Sequence, residues 1–161
     1  MFVDYRRPGR SGAGNIILLI LLLAGMTSCA TVPSVEAPEE FAVYDRTDAF
    51  VAVSPEGVRL RVRYEENDPE QDLVFWREAL EIHLDRSGYA KLADDTFETP
   101  DGEGFWVEWV APVGQDDWIY LTAIAVHEGQ IAIAESAGPF QLYKKYREAI
   151  FDSLRSVTRV R

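Results

Sequence analysis

The sequence predicts an α+β domain in which an antiparallel meander of strands forms one sheet and two main helices pack on it as an α/β/α sandwich. Three observations support this fold class. Segments with strand periodicity stand on both sides of a first helical segment, a second helical segment follows the last strand, and residues 118–126 are apolar on both faces. We therefore expect residues 118–126 inside the sheet, with a layer on each side.

Three strand candidates open the domain, at residues 41–44, 49–53 and 58–64. The third alternates strictly between apolar and basic residues, which is typical of a strand with one buried face. Its arginines, Arg59, Arg61 and Arg63, share the other face. That row is either an anion-binding stripe or a solvated face that pairs with the abundant carboxylates, and we favour the solvated face.

The first helix is predicted to begin at Asp68 and Pro69 and to end near Gly88. Asp caps helix N-termini, Pro suits the first helical position, and Gly commonly follows the last one. Four large apolar residues recur at helical spacing, namely Leu73, Trp76, Leu80 and Leu84. Such a stripe can bind a partner, but we favour a stripe that faces the core.

The second half of the domain contains further strand candidates and a helix. The strands are predicted at residues 89–92, 104–110, 118–126 and 130–134, with a hairpin at 127–130. Residues 94–103 are rich in Asp and Glu, and we interpret them as a solvated acidic loop rather than a calcium site. Gly138 and Pro139 introduce the second helix, whose stripe contains Tyr143, Tyr146, Ile150 and Leu154.

Four aromatic residues form the candidate contact surface of the domain: Trp106, Trp109, Tyr143 and Tyr146. Trp106 and Trp109 stand an odd number of positions apart, so a regular strand places them on opposite faces. An exposed tryptophan beside the two tyrosines would contact a protein or a small ligand. The alternative, which we favour, is burial of these side chains in a two-sided sandwich.

The N-terminal stretch has the three parts of an export signal. Arg6, Arg7 and Arg10 precede an apolar run at residues 16–24, and small and polar residues follow it. Residues 16–26 would span only about 16 Å as a helix, against roughly 30 Å of hydrocarbon. An export signal is therefore the better interpretation than a membrane-spanning helix.

Residues 26–29, Met-Thr-Ser-Cys, resemble the lipobox of bacterial lipoproteins, in which a small residue precedes a cysteine that is diacylated before cleavage. The resemblance implies a signal peptide at 1–28 and membrane attachment through lipid on Cys29. Ala30, rather than Asp, follows the cysteine, which by the same resemblance implies delivery to the outer membrane, facing the periplasm. Cys29 is the only cysteine, so no intrachain disulfide can form.

Two segments follow the signal peptide. Residues 29–40 contain Pro and Glu with few large apolar residues, which predicts a flexible tether, and residues 41–161 have the size of one compact domain. Residues 1–28 hold three of the 16 Lys and Arg and one of the 27 Asp and Glu, so cleavage leaves a net charge near −13. This charge repels phosphates, and nucleic acid is not expected as a partner.

The sequence lacks the patterns of common catalytic and metal sites. His83 and His127 are the only histidines, and they do not have the helical spacing of a zinc metalloprotease. Residues 41–161 contain no Gly-x-Ser-x-Gly motif and no phosphate-binding loop. Paired carboxylate chemistry is neither supported nor excluded. We expect a non-enzymatic domain without a metal or cofactor.

The domain resembles the PsbP/DcrB-like α/β/α sandwich group. The resemblance rests on the turn at 54–57 before a strand, a helix, a meander with an aromatic strand, and a C-terminal amphipathic helix ending near Ser153, Ser156 and Val157. It implies a non-enzymatic role in protein contact or envelope assembly. The leading hypothesis is a lipid-anchored envelope protein that binds or scaffolds a protein partner; the alternative is a small-ligand carrier with an aromatic-lined cleft.

Overall fold

A computed structural model describes residues 33–44, 46, 48–113, 116–127 and 129–159. In this part of the chain a seven-stranded antiparallel sheet carries one helix on each face, and a short two-stranded ribbon pairs the first described residues with the last. The predicted α+β fold, an antiparallel meander with two main helices, is confirmed.

The described elements follow one another in a simple order. The strands are β1 (Pro33–Ser34), β2 (Ala42–Tyr44), β3 (Phe50–Val53), β4 (Arg59–Glu66), β5 (Ala90–Thr99), β6 (Gly102–Val113), β7 (Asp116–His127), β8 (Gln130–Pro139) and β9 (Thr158–Arg159). The helices are α1 (Leu73–Arg86), between β4 and β5, and α2 (Phe140–Arg155), between β8 and β9.

The large sheet has the strand order β2-β3-β4-β8-β7-β6-β5. β7 lies between β6 and β8, as its two apolar faces predicted. Leu121 of β7 belongs to the core cluster under α2, whereas Ile124 belongs to the cluster under α1. The main contacts of α1 are with β5, β6 and β7, so the face of β4 that carries the arginine row lies beside the helix rather than under it.

The start of α1 differs from the prediction. The helix begins at Leu73, and its N-cap is Asp72, whose Oδ1 accepts a hydrogen bond of 2.9 Å from the Phe75 N–H. Asn67 prevents an earlier start, because its side chain bonds the backbone N–H and C=O of Gln71 at 3.0 and 2.8 Å. Asp68 therefore belongs to a turn that Asn67 holds together, and the predicted cap lay four residues too early.

The acidic segment at 94–103 is not a loop. β5 extends through Thr99 and pairs with β6 along its length, with one irregularity between Lys91 and Ala93. β5 is an edge strand, and charged side chains protect such an edge from pairing with other chains. The same charged side chains hid the apolar alternation by which a strand is recognised in a sequence.

Residues 33–40 are docked rather than free. Pro33 and Ser34 pair with Arg159 and Thr158, and the Glu36 N–H donates a hydrogen bond of 2.9 Å to Ser156 Oγ. The predicted tether at 29–40 is therefore wrong for residues 33–40. Composition could not show this, because the attachment is a pairing with residues near the end of the chain. Residues 29–32 lie outside the described residues.

Gly104 gives a test of the close packing of β6 against its two neighbours, β5 and β7. A Cβ at this position would lie 2.8 Å from the Ile124 carbonyl oxygen and 2.6 Å from Cε1 of Phe97. We expect Gly104→Ala to lower the free energy of unfolding by about 1–3 kcal/mol, measured by urea denaturation. Glu103→Ala, at an exposed neighbour, is the control, and equal losses in both variants would contradict the packing account.

Candidate functional site

The outer face of α1 exposes three large apolar side chains. Val74, Phe75 and Ile82 are 64%, 45% and 52% exposed, although the opposite face of α1 supplies Leu84 to the core. The exposed Glu78 lies between them on the helix surface. We call Val74, Phe75 and Ile82 the outer α1 patch. A helix that buries one apolar face and exposes a second has apolar surface that its own fold does not use.

A groove runs beside α1, between the helix and the exposed face of β4. It consists of two adjoining cavities of about 220 and 320 Å³, and Tyr120 and Glu135 line both of them. Arg59 and Arg61 line the smaller cavity, and α1 forms one wall of the larger. We call these two cavities the α1 groove.

The arginine row forms the β4 side of this groove. Arg63 forms ion pairs with Glu65 at 2.9 Å and with Glu135. Arg61 has a looser ion pair, 3.7 Å to the exposed Asp48. Arg59 has no ion pair or side-chain hydrogen bond within the described residues. The expected pairing with carboxylates therefore holds for Arg61 and Arg63 but not for Arg59.

Glu135 is already engaged by groups of the chain itself. Its two oxygens accept hydrogen bonds from the Tyr120 hydroxyl, at 2.6 Å, and from Arg63. Burial and the adjacent Glu135 carboxylate raise the pKa of Tyr120, so the phenol keeps its proton and remains a donor. The hydroxyl and the guanidinium together compensate the charge of Glu135.

The predicted aromatic contact surface does not form. Trp109, Tyr143 and Tyr146 are buried, and only Trp106 is partly exposed. Trp106 and Trp109 do occupy opposite faces, because Trp106 packs edge-on against Phe151 of α2 while Trp109 belongs to the cluster under α1. Burial, the alternative that the sequence favoured, describes three of the four residues.

Tyr143 serves a buried polar network on the α2 face. Its hydroxyl donates a hydrogen bond of 2.8 Å to Oε1 of Glu108, and Arg147 donates two to the same carboxylate at 2.6 and 3.2 Å. The Glu108 side chain is 5% exposed. Burial and the neighbouring Glu108 carboxylate raise the pKa of Tyr143, so its hydroxyl is protonated at neutral pH and donates to Glu108. The network joins β6 to α2.

Tyr146 belongs to a second network, at the turn before β4. Its hydroxyl donates to Glu56, and Lys145 donates to Glu56 Oε1 at 2.9 Å and to the Tyr146 hydroxyl at 2.7 Å. The hydrogen bond from Tyr146 and then the one from Lys145 lower the pKa of Glu56 to about 2. The hydrogen bond that Lys145 donates to Tyr146, and then the one to Glu56, raise the pKa of Lys145.

The Glu56 network predicts a specific pH dependence. Because the folded-state pKa lies below the usual 4.5, the contribution of Glu56 to stability is complete above pH 4.5 and is lost as the pH falls towards about 2. We expect an NMR titration of the Glu56 carboxyl carbon to show a midpoint near 2. Lys145→Ala should raise the midpoint and Lys144→Ala should not; a wild-type midpoint near 4.5 would contradict this network.

A cavity of about 430 Å³ lies next to Trp106, between β5 and α2. Its aromatic walls are partly covered, because the Arg147 guanidinium carbon lies 5.4 Å from the ring centroid of Trp106 and 4.4 Å from that of Phe151. The remaining lining is rich in charged residues of both signs, including Asp95, Asp152 and Arg155. Aromatic surface is therefore present here, but a cation of the chain itself occupies part of it.

Several sequence predictions concern residues away from these features. His83 is exposed and lines the α1 groove, whereas His127 is buried beside Tyr64, and no group of three or more metal-ligating side chains occurs among the described residues. No helix in the same part of the chain is long and apolar enough to cross a membrane. The signal peptide at 1–28 and the lipid attachment at Cys29 lie outside the described residues.

No protein-family model and no curated protein matches the sequence. Solved structures match it at the level of the fold. Cyanobacterial PsbP from Synechocystis is 10% identical with a TM-score of 0.56, over 85% of this chain and 96% of that chain. LpqN of Mycobacterium tuberculosis, involved in cell envelope biogenesis, is 6% identical with a TM-score of 0.56, over 86% of this chain and 88% of that chain.

A third similar structure comes from a eukaryote. The Ran-binding protein Mog1p of Saccharomyces cerevisiae is 12% identical with a TM-score of 0.55, over 78% of this chain and 89% of that chain. At these identities the comparisons show a shared fold. The domain therefore has the PsbP-like α+β fold, as the element order predicted.

Sequence reasoning missed two of the features described above. The apolar stripe of α1 was recognised at Leu73, Trp76, Leu80 and Leu84, but the second apolar set on its outer face was not. The signal was present, since Val74 and Ile82 are two helical turns apart on the face opposite that stripe. The α1 groove could not be predicted, because it depends on how far the helix extends across the sheet.

Proposed function

We propose that this chain is a lipid-anchored protein of the bacterial cell envelope whose domain binds or scaffolds other envelope proteins without being an enzyme. The outer α1 patch carries the proposal. Val74, Phe75 and Ile82 are exposed apolar side chains on a regular helix, and the buried centre of a protein contact is more apolar than the rest of the surface and enriched in Phe. The occupant is a protein surface with apolar side chains.

A lipid on Cys29 would hold the domain near a membrane. Lipid on Cys29 is supported by the lipobox resemblance, and the docking of the chain from Pro33 onwards leaves only three residues between lipid and fold. Four residue steps reach at most about 14 Å, so the domain would stay close to the bilayer surface. Ala30 supports the outer membrane, with the domain in the periplasm.

The fold neighbours support a role in protein contact. LpqN is described as involved in cell envelope biogenesis, and Mog1p as a Ran-binding protein. These descriptions concern those two proteins. The description of LpqN agrees with the proposed location, and that of Mog1p agrees with the proposed binding of a protein. The lack of catalytic motifs in residues 41–161 supports a non-enzymatic role.

A pull-down from membranes tests the protein-binding role. The full-length, tagged protein should recover a partner that is lost when Val74, Phe75 and Ile82 are each replaced by Ser. Val43→Ser combined with Leu92→Ser is the matched control, because it removes exposed apolar side chains from other elements. Recovery of the same partner by the α1 variant, or of no partner above the Cys29→Ala form, would refute the proposal.

The anchor has a separate test. Mass spectrometry of the mature protein should find acylated Cys29 as the first residue. An intact residue 1, or an unmodified thiol at Cys29, would contradict the lipid anchor without affecting the account of the α1 patch.

The cavity next to Trp106 favours a second candidate, a small-ligand carrier with an aromatic-lined cleft. Its volume of about 430 Å³ falls within the usual range for ligand sites. A thermal-shift screen with small aromatic compounds should then find ligands whose effect disappears in Trp106→Ala. Ligands that stabilise both forms equally would place binding elsewhere.

A further inference from the structure

The α1 groove differs in charge from the rest of the molecule. The whole chain has a net charge of −11, yet the lining of the smaller cavity contains two arginines and one carboxylate. That carboxylate, Glu135, already accepts hydrogen bonds from Tyr120 and Arg63. Among the described residues Arg59 therefore has no carboxylate partner, and Arg61 has only the 3.7 Å contact with Asp48, so this positive pair is weakly compensated in an otherwise acidic protein.

The two arginines are close neighbours on one face of β4. They stand two positions apart on the strand, and they face Ala137 and Glu135 of β8 in the sheet register. The exposed Asp48 forms an ion pair with Arg61, at 3.7 Å, and not with Arg59. A guanidinium binds a carboxylate through two parallel hydrogen bonds, and two adjacent guanidinium groups bind it more tightly than either alone.

The larger cavity continues this site with an apolar surface. Trp76 and Leu80 of α1 form one wall, and Ile124 and Ile133 of the sheet form the floor. The ion pair of Arg63 and Glu135 balances the charge of its lining. The floor of the whole groove extends along β8 from Ala137 to Ile133, which is about 13 Å at roughly 3.3 Å per residue.

We propose that the α1 groove binds an amphipathic carboxylate with a single alkyl chain, of the fatty-acid class. Arg59 and Arg61 bind the carboxylate, and the chain lies along Trp76, Leu80 and Ile133. A volume of about 320 Å³ is at the small end of ligand sites, which suits one chain better than two. The outer α1 patch lies on another side of the helix, so this site is independent of the proposed protein contact.

Photolabelling tests the site in the full-length protein in isolated membranes. The probe is decanoate with a diazirine in its alkyl chain, and labelled residues are mapped by mass spectrometry. We expect labels on α1 and β8 residues of the groove. Arg59→Gln combined with Arg61→Gln should reduce this labelling about tenfold, because two charge-assisted contacts to the headgroup are lost. Lys144→Gln, at an exposed cation of α2, is the control.

Two further arms separate the chemistry of the headgroup from that of the chain. The corresponding alcohol, which keeps the chain and loses the charge, should label the groove about tenfold less. Ala79→Trp should block labelling by filling the larger cavity. If the arginine variant does not fold, this variant still tests whether the label lies in the groove.

Equal labelling by decanoate and the alcohol, labels spread over the whole surface, or full labelling of both variants would overturn the proposal. The pull-down through the outer α1 patch should be unchanged in the arginine variant. The photolabelling thus tests the ligand proposal, and the pull-down separately tests the protein-binding role.

Discussion

Replacing Trp109 with Ala is expected to lower the free energy of unfolding by about 3–5 kcal/mol. The side chain is 2% exposed and packs in the cluster that joins β6 to α1, so truncation leaves a cavity between sheet and helix. Urea denaturation with an unchanged slope would measure the loss. Trp109→Phe should retain most of the stability, because the indole N–H has no hydrogen-bond partner in the described part of the chain.

Leu92→Ala is the control for this experiment, because Leu92 is a large apolar residue that lies half exposed on β5. It should change the free energy of unfolding by less than about 0.5 kcal/mol. Two outcomes would contradict a core role for Trp109: a loss of similar size at both positions, or a stable Trp109→Ala protein that fails only in binding. The second outcome would show that Trp109 is a contact residue.

Replacing Glu108 with Ala is the second change with a large expected effect, a loss of about 2–4 kcal/mol. The substitution removes the acceptor of the buried Tyr143 hydroxyl and the counter-ion of Arg147 at once. Arg147 is 39% exposed and can hydrate, which keeps the loss below that of a fully buried pair. Glu103→Ala, on the same strand, should have almost no effect.

A double-mutant cycle separates the parts of this network. Tyr143→Phe in the Glu108→Ala background should cost less than in the wild type, because the hydroxyl has already lost its partner. Losses that simply add would show that Tyr143 and Glu108 do not interact, in conflict with the 2.8 Å hydrogen bond between them.

The fold was largely predictable from local patterns. Three sequence patterns predicted burial that the structure shows. They are the alternation in β4, the two apolar faces of β7 and the tyrosine stripe of α2. The predicted strand at 89–92 covered only the start of β5, and the rest was missed because an edge strand in solvent has no apolar face along most of its length. β1 escaped because its pairing with β9 joins residues far apart in sequence, which no local pattern records.

The site was less predictable than the fold. Strand parity placed Trp106 and Trp109 on opposite faces, but their burial depends on which helix lies above each of them. The row of arginines on one face of β4 followed from alternation, whereas its meaning depends on the neighbours. Arg63 pairs with Glu65 and Glu135, whereas Arg59 has no carboxylate partner among the described residues, and this difference depends on the positions of β8 and α1.

Photo-crosslinking in the native envelope tests the central claim, that the outer α1 patch of an anchored domain contacts another envelope protein. A photoreactive amino acid in place of Phe75 should give a discrete adduct with one envelope protein. The same amino acid in place of Lys144, an exposed residue of α2, should not. The Phe75 adduct should also disappear in the Cys29→Ala protein. Identical adducts at both positions, or none at Phe75 while the protein is present and folded, would contradict the account.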